Sequence, residues 1–423
     1  MKILVVGSGG REHAICSAFA RSSKTEKLFC ADGNAGIAEI AECVNIKPDN
    51  INGLSDFAKA NKIDLTFIGG EGPLALGITD EFENRGLKIV GVSAAAARLE
   101  ASKAFAKEFM RRHDVPTAKF HTANSKAEAI EILNSGEFGD QGAPVVVKAD
   151  GLAAGKGVIV AADRKDALAA VNDLEEIAGA DAAGTIVLEE CLFGREVSLI
   201  LFSDGENFAL MPPTRDHKRI GEGDTGPNTG GMGTITDAGL LTDAQMQDIV
   251  DRIIKPTLRG CRDEEFPLRG ILFLGLMMTK KGPRLLEYNV RFGDPETQSI
   301  LVRLETDLVD ICEAILAGQL NQIDLKWREG NSACVILAAE GYPYHPRKGD
   351  VIHGLDKAGV LKDVQVFHSG TARNETGEFV TAGGRVLGVT AVGESLDEAL
   401  SRAYRAVENI SWMGMQYRRD IGK

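Results

Sequence analysis

Three polar side chains of different chemistry stand at alternate positions in the second half of the chain: Glu287, Asn289 and Arg291. Alternate side chains of a strand share a face, so one face would carry a carboxylate, an amide and a guanidinium. The opposite face would carry Leu286, Tyr288 and Val290. Carboxylate and amide oxygens are ligands that Mg²⁺ accepts beside nucleotide phosphates, and a guanidinium binds anionic oxygens. The run therefore predicts the floor of a metal–nucleotide site, and the alternative is a strand that turns a mixed polar face to water.

A loop rich in glycine, alanine and lysine at residues 148–157 is the second candidate for chemistry. It is not a P-loop, because only three residues separate Gly151 from Gly155 and Lys156, and a glycine replaces the Ser or Thr. Backbone N–H groups of a small-residue loop between two strands can still bind a triphosphate. The loop is therefore predicted to fold over phosphate groups, and the alternative is a plain β-hairpin tip.

Two weaker candidates lie at residues 187–197 and 215–233. In the first, a strand ends in a connector whose backbone could meet an adenine edge, and Glu196 could accept hydrogen bonds from ribose hydroxyls. In the second, a charged cluster precedes a long loop of Gly, Pro and Asn, which is typical of functional lids but also fits a solvated surface turn. Asp294 precedes Pro295, an order typical of an N-cap and a first helical residue, so a helix is predicted directly after the polar run.

The elements that must position these residues can be predicted from hydrophobic periodicity. Short apolar runs alternate with helical patterns in the N-terminal part, which is typical of an open parallel α/β sheet. Strands are predicted at residues 3–6, 28–30, 65–68 and 89–90, with helices at 11–20, 51–60 and 78–85. Loops at 7–13, 33–36 and 69–74 would line a pocket beyond the carboxyl ends of the strands. Downstream, a helix at 102–113 precedes a small lid-like α+β unit, and residues from 332 onward alternate strands with one helix.

Composition and charge narrow the class of protein. The chain has 423 residues, of which 44% are hydrophobic and 26% charged, values typical of a globular protein with several domains. A net charge of −13 without a Lys/Arg block argues against a nucleic-acid partner. Seven cysteines without C-x-x-C spacing are typical of reduced thiols, and no signal peptide or bilayer-spanning stretch is visible. We therefore expect a cytoplasmic protein with no membrane partner.

An ordered set of motifs resembles one enzyme family. The motifs are G-x-G-G-R-E-H at 7–13, S-K-A-F at 102–105, K-A-D-G-L-A-A-G-K-G at 148–157, D-H-K-R at 216–219, D-T-G-P-N-T-G-G-M-G at 224–233, R-F-G-D-P-E-T-Q at 291–298 and G-G-R at 383–385. In this order they resemble the glycinamide ribonucleotide synthetases (phosphoribosylamine–glycine ligases) of the ATP-grasp superfamily. Two departures are Gly70, where many relatives have proline, and Cys191, where many have an aromatic residue. Neither departure removes a charged group.

The resemblance implies a multidomain protein of α/β and α+β class. Residues 1–101 would form an N-terminal open parallel α/β domain. Residues 102–330 would form the ATP-grasp domain, with a small lid at about 119–192, and residues 331–423 would form a C-terminal mixed α+β domain.

The resemblance also implies roles for individual residues. Catalysis would depend on Arg291, Lys148, Asp216 and Lys218. ATP would be bound by Lys103, Lys148, Gly151, Gly155, Lys156, Gly157, Glu190, Leu192 and Glu196. Phosphoribosylamine would be held by Gly9, Gly10, Arg11, Glu71, Asp294 and Arg385. Mg²⁺ or Mn²⁺ would be bound by Glu287 and Asn289, and residues 273–276 lack the acidic ligand that many ATP-grasp enzymes add from the preceding strand.

The implied reaction is the ATP-dependent ligation of glycine to 5-phosphoribosylamine through glycyl phosphate, in purine biosynthesis, by a monomer. Another ATP-grasp enzyme, such as a carboxylase or a formate-dependent transformylase, would share the nucleotide site and use a different acid. A dinucleotide oxidoreductase is indicated only by Gly7-x-Gly9 and Asp32, and it leaves the polar run at 287–291 unexplained. A non-catalytic nucleotide-binding regulator is disfavoured because Lys148 and Glu287 are present.

Overall fold

A five-stranded parallel sheet forms the N-terminal part of the computed structural model. Its strands lie in the order Glu42–Val44, Lys27–Asp32, Lys2–Gly7, Leu65–Ile68 and Ile89–Val90. Its helices are Gly10–Ala20, Ile51–Asn61, Glu71–Ala75, Ile78–Asn84 and Ala94–Ala101, with a 3₁₀ turn at Ile37–Glu39. The centre of the first strand is fully buried, as expected for a parallel sheet covered on both faces. The predicted parallel sheet is confirmed, and only the short, largely exposed edge strand Glu42–Val44 gave no periodic signal.

A second, antiparallel sheet forms the lid-like unit. Its strands lie in the order Phe120–Ala123, Ile186–Glu190, Val145–Ala149 and Val158–Ala161. The helices Lys126–Asn134 and Arg164–Ala178 pack on it and close a small apolar core. The structure describes residues 1–152, 157–179 and 184–423, so the predicted ATP-binding residues Gly155 and Lys156 lie outside the described residues.

A large antiparallel sheet joins the central and C-terminal parts of the chain. Its strands lie in the order Gly282–Asn289, Arg269–Thr279, Arg195–Asp204, Thr214–Asp216, Gly233–Thr236, Asn331–Ala338, Arg385–Gly393 and Val364–His368, and Phe208–Leu210 pairs beside Arg195–Asp204. The predicted domain boundary between residues 330 and 331 falls at the start of the strand Asn331–Ala338, which pairs with Gly233–Thr236. The two parts therefore share one continuous sheet, and the boundary itself stays a prediction.

The remaining elements surround this sheet. Two small hairpins pair Arg219–Gly221 with Thr225–Asn228 and Thr371–Arg373 with Phe379–Thr381. The helices are Lys103–Arg112, Asp243–Ile249, Lys255–Asp263, Glu296–Leu301, Leu308–Ala317, Leu355–Gly359 and Leu396–Val407, with a π-helical turn at Val250–Ile254 and 3₁₀ turns at Ala238–Leu240 and Leu320–Gln322. Among the residues that the structure describes, no helix combines the length and the apolar character needed to cross a bilayer.

The strand Gly282–Asn289 carries the predicted polar face, with one local difference. Asn289 pairs with Phe273 and Glu287 with Gly275, but a bulge then sets Leu285 opposite Leu276. A bulge inserts one residue and changes which side chains share a face. The expectation that Leu286 shares the apolar face of Tyr288 and Val290 is therefore wrong, because Leu285 packs with them in the core and Leu286 lines the cleft. Arg291 follows the end of the strand rather than lying within it.

Three phenylalanines join the N-terminal sheet to the large sheet. Phe67 stacks on Phe292 with ring centroids 5.9 Å apart, and Phe292 meets Phe202 edge to face at 5.9 Å. All three side chains are fully buried. This shared core lies directly behind the polar run, because Phe292 follows Arg291 in the chain.

We predict that Phe202→Ala lowers the free energy of unfolding by about 3–5 kcal/mol, because it leaves a cavity between the two sheets. The exposed Phe193 provides the control, and its replacement by alanine should change stability by no more than about 0.5 kcal/mol. Chemical denaturation followed by circular dichroism measures both variants. Equal denaturation midpoints for the two variants would contradict a shared core.

Candidate active site

A cleft of about 420 Å³ lies between the lid sheet, the large sheet and the N-terminal loops. Most residues that the sequence singles out line it. They are Arg11, Glu71, Lys103, Lys148, Gly151, Gly157, Glu196, Asp216, Lys218, Glu287, Asn289, Arg291, Asp294 and Arg385. Residues from distant parts of the sequence therefore converge on one cavity.

Four predicted site residues lie beside the cleft rather than on its lining. Glu190 ends its lid strand with an exposed side chain that accepts a hydrogen bond from the N–H of Lys119. Leu192 follows in the connector between the lid and the large sheet. Gly9 and Gly10 begin the first helix, where a Cβ on Gly10 would come within 2.5 Å of the Ser369 hydroxyl. Glycine at this position therefore permits close contact with the C-terminal part.

The floor of the cleft holds an ionised carboxylate and an amide oxygen. Burial alone would raise the pKa of Glu287, but the charges of Lys218, Lys148 and Lys103 outweigh it and lower that pKa. The amide oxygen of Asn289 accepts a hydrogen bond from Arg291 at 3.1 Å and keeps a second lone pair. This pair of hard oxygen donors fits a divalent cation such as Mg²⁺. The described residues contain no cluster of three His, Cys, Asp or Glu suited to a metal, so phosphate and water would complete the coordination.

Arg291 is held by two carboxylates in the structure. Its Nε lies 3.1 Å from Glu71, and its Nη2 lies 2.8 Å from Glu100, whose side chain is only 7% exposed. Burial would raise the pKa of Glu71, but Arg291 and Arg11 lower it to about 2. Burial raises the pKa of Glu100 despite the nearby arginine. Sequence reasoning missed Glu100, because the last turn of an ordinary helix carries no motif.

A buried cluster of two lysines and one glutamate lies on the lid side of the cleft. Glu189 lies 2.8 Å from Lys107 and 2.7 Å from Lys148. Lys107 also donates to the hydroxyl of Thr117. Burial lowers the pKa of Lys107 to about 8, although Glu189 acts in the opposite direction. Lys107 and Glu189 were missed, because each looks in the sequence like a surface charge beside an apolar run.

Asp294 connects the polar run to the C-terminal part. Its carboxylate accepts a hydrogen bond from Gln298 at 2.8 Å and lies 3.1 Å from the guanidinium of Arg385. The next helix is Glu296–Leu301 with Pro295 at its N-cap, so the prediction that Asp294 is the N-cap is wrong. The side chain is directed to Arg385 and Gln298 and does not bond the first helical N–H groups. Arg11 donates to the carbonyl of Phe292 and completes this corner from the N-terminal side.

Asp216 and Lys218 line the cleft at the end of the strand Thr214–Asp216 and in the segment after it. Burial, and then the negative charge of Glu296, raises the pKa of Asp216 well above its usual value. Burial also raises the pKa of Glu296, a further residue that the sequence did not single out. Lys218 lies 3.1 Å from Glu196, so the carboxylate predicted to meet ribose is paired with a lysine in this structure.

The fold and the cleft together define an ATP-grasp enzyme: an antiparallel lid and a large sheet border a cleft in which lysines and arginines are interspersed with carboxylates above a carboxylate–amide floor. Solved structures support this class at the level of the fold. The biotin carboxylase domain of the 2-oxoglutarate carboxylase of Hydrogenobacter thermophilus superimposes with a TM-score of 0.74 at 17% identity, covering 98% of this chain and 91% of that one.

Closer comparisons identify the family. Models of phosphoribosylglycinamide synthetase match residues 1–100 (N domain), 101–297 (ATP-grasp domain) and 332–423 (C domain). The phosphoribosylamine–glycine ligase of Caldanaerobacter subterraneus subsp. tengcongensis is 45% identical over 422 residues, covering 100% of this chain and 99% of that protein. That of Pseudomonas aeruginosa is 48% identical over 428 residues, covering 100% and 97%. The crystal structure of the Thermotoga maritima ligase superimposes with a TM-score of 0.85 at 32% identity over 100% of both chains.

The chain belongs to the phosphoribosylglycinamide synthetase family. It is therefore an ATP-dependent ligase of purine biosynthesis. The alternatives of a dinucleotide oxidoreductase and of a non-catalytic regulator are excluded by this membership.

We predict that Glu189→Gln lowers stability by roughly 3 kcal/mol and raises the KM for ATP, because two buried ammonium groups lose their shared counter-charge. Glu131→Gln, at an exposed position on a lid helix, is the matched control. Thermal melting and steady-state kinetics measure the two effects. A Glu189→Gln protein with the control's melting temperature and KM would show that the cluster does not support Lys148.

Proposed function

We propose that the chain joins the carboxyl group of glycine to the amine of 5-phosphoribosylamine through a glycyl-phosphate intermediate, with ATP converted to ADP and phosphate. The proposal is supported by one observation: residues from distant parts of the sequence line a single cleft. Lysines from the lid side, the Glu287–Asn289 floor and arginines from both ends of the chain border one cleft. Such a site can hold a nucleotide and a second phosphorylated substrate together.

In the first step, a carboxylate oxygen of glycine attacks the γ-phosphorus of ATP, and the bond between that phosphorus and the ADP oxygen breaks. Lys148 and Lys103 are placed to offset charge on the phosphate oxygens, since both line the cleft on its lid side. We assign to Arg291 the role of binding the transferring phosphoryl group. Of its two carboxylate partners, Glu71 is the more exposed at 34%, so phosphate oxygens can replace it while Glu100 keeps the arginine in place.

The divalent ion, Mg²⁺ or Mn²⁺, would be held by Glu287 and Asn289 and would supply positive charge to the β- and γ-phosphate oxygens. The low pKa of Glu287 favours this role, because an ionised carboxylate binds a cation without first losing a proton. The amide oxygen of Asn289 accepts a hydrogen bond from Arg291 and would offer its second lone pair to the ion.

In the second step, the amine of phosphoribosylamine attacks the carbonyl carbon of glycyl phosphate, phosphate leaves, and the amine loses a proton as the amide forms. We assign Asp216 as the proton acceptor, because its carboxyl group lines the cleft beside Glu296 and burial raises its pKa above that of a surface aspartate. Lys218, two residues further on, is assigned to bind the departing phosphate. Closure of the cleft around its substrates would exclude water, which otherwise hydrolyses the acyl phosphate.

The remaining assignments concern binding. For ATP, we assign adenine to the backbone of Glu190 and Leu192, the ribose to Glu196, and the phosphates to the loop from Gly151 to Gly157. Phosphoribosylamine is assigned to the corner that Arg11, Glu71, Asp294 and Arg385 form beside the start of the first helix at Gly9 and Gly10. Arginines there suit a phosphate, and carboxylates suit ribose hydroxyls. We further propose that the chain acts as a cytoplasmic monomer.

We predict ADP release that requires both glycine and phosphoribosylamine. The assay offers ATP, Mg²⁺ and phosphoribosylamine with glycine, bicarbonate or formate in turn, and a coupled enzyme reports ADP. Glycine should raise the rate at least about 100-fold over either other acid, because an oriented carboxylate is needed for phosphoryl transfer. Release that is independent of glycine, or that bicarbonate or formate supports equally, would contradict the assignment.

A further inference from the structure

The hairpin between Lys218 and Gly230 forms one wall of the cleft. Its two strands, Arg219–Gly221 and Thr225–Asn228, leave Asn228, Thr229 and Gly230 on the cleft lining. The sequence suggests a lid at this place, but a lid needs freedom to move. The contacts that hold the hairpin therefore determine whether Lys218 has a fixed position.

A buried arginine near the C-terminus holds the tip of this hairpin. The side chain of Arg418 is only 2% exposed. Its Nη1 donates to Asp224 at 2.7 Å and to the carbonyl of Arg219 at 3.1 Å, so it joins the turn of the hairpin to its first strand. Its Nε and Nη2 each lie 2.8 Å from the carboxylate of Asp420. One cation thus links the hairpin to the last residues of the chain through four hydrogen bonds.

The last residues add further bonds to the same segment. The carboxylate of Asp420 accepts from the N–H of Gly223 at 2.7 Å. The N–H of Gly422 donates to Nε2 of His217 at 3.0 Å, and Nδ1 of His217 lies 3.0 Å from the carbonyl of Gly233. The buried ring therefore accepts at Nε2 and donates at Nδ1, as a neutral imidazole does. Burial lowers the pKa of His217 to about 4, which keeps the ring neutral at physiological pH.

The C-terminal segment is itself fixed to the body of the protein. The hydroxyl of Tyr404 donates to the carbonyl of Arg418 at 2.9 Å and accepts from the N–H of Ile421. Gln416 pairs with Ala338 of the large sheet in both directions. Ile421 is 1% exposed and belongs to the core of the C-terminal part. The segment is thus a rigid reference for the hairpin.

We propose that Arg418 is a positioning residue for the ligase reaction: through Asp224 and Arg219 it fixes the hairpin, and thereby Lys218, at the wall of the cleft. Arg418 is not among the residues that line the cleft, so it acts through the hairpin alone. The inference rests on the proposed function in one respect, because its effect on turnover presupposes the glycine-dependent reaction. The effect of Arg418 on the mobility of the hairpin does not depend on that reaction.

Asp224→Asn is the principal test, because the Asp224 side chain is 70% exposed and can change without opening the core. Hydrogen exchange of residues 219–230 should become about 10- to 100-fold faster, the range expected when a charge-assisted hydrogen bond is lost. The kcat for glycine-dependent ADP release should fall by about 10-fold, with a KM for ATP within about twofold of the unaltered protein. The melting temperature should stay within a few degrees of its starting value.

Three further variants define the outcome. Arg419→Ala is the matched control, because Arg419 is 71% exposed and lies 3.8 Å from Glu222, and it should leave exchange and kcat unchanged. Arg418→Met should reproduce Asp224→Asn in the exchange of the hairpin, and Arg418→Lys should restore part of the protection. If the hairpin exchanges at the original rate in Asp224→Asn and kcat is unchanged, Arg418 does not position it. A chain without glycine-dependent turnover would contradict the proposed function, while the exchange data would still decide the role of Arg418.

Discussion

Pairing of buried charges is the constraint on which this site depends. Lys107 and Lys148 share Glu189, Arg291 lies between Glu71 and Glu100, and Arg385 faces Asp294. Removing one partner of a buried pair leaves an uncompensated charge and costs several kcal/mol. These ion pairs therefore form only when the lid, the N-terminal loops and the C-terminal strand are packed together. The same pairing explains how several lysines and arginines can line one cleft, because the neighbouring carboxylates offset the repulsion between their charges.

This pairing also prepares the cleft for anionic substrates. The carboxylates of Glu189 and Glu100 are buried beside their partners, whereas Glu71 and Glu196 are partly exposed. Phosphate oxygens can take the place of an exposed carboxylate at little desolvation cost, because that carboxylate returns to water. In the proposed reaction, substrate binding would exchange one set of ion pairs for another, and the lysines and arginines would already be in place.

The sequence predicts the class of fold and the family well, for physical reasons. Continuous apolar runs such as residues 3–6 mark buried parallel strands, and Gly-rich motifs mark places where backbone must approach a ligand. Partner residues on ordinary elements escape such reasoning. Glu100 ends a helix and Lys107 lies within another, and neither position differs in pattern from a surface charge. The bulge that places Leu285 rather than Leu286 in the core depends on pairing with Arg269–Thr279, which no local pattern reveals.

We propose above all that the carboxylate of glycine, held in this cleft, attacks the γ-phosphate of ATP. Glycine labelled with ¹⁸O in both carboxylate oxygens tests it most directly, because the acyl phosphate transfers one of those oxygens to the departing phosphate. We predict that mass spectrometry finds one ¹⁸O in each inorganic phosphate and one in each amide product. Phosphate free of ¹⁸O, formed at the same rate as the amide, would contradict the mechanism.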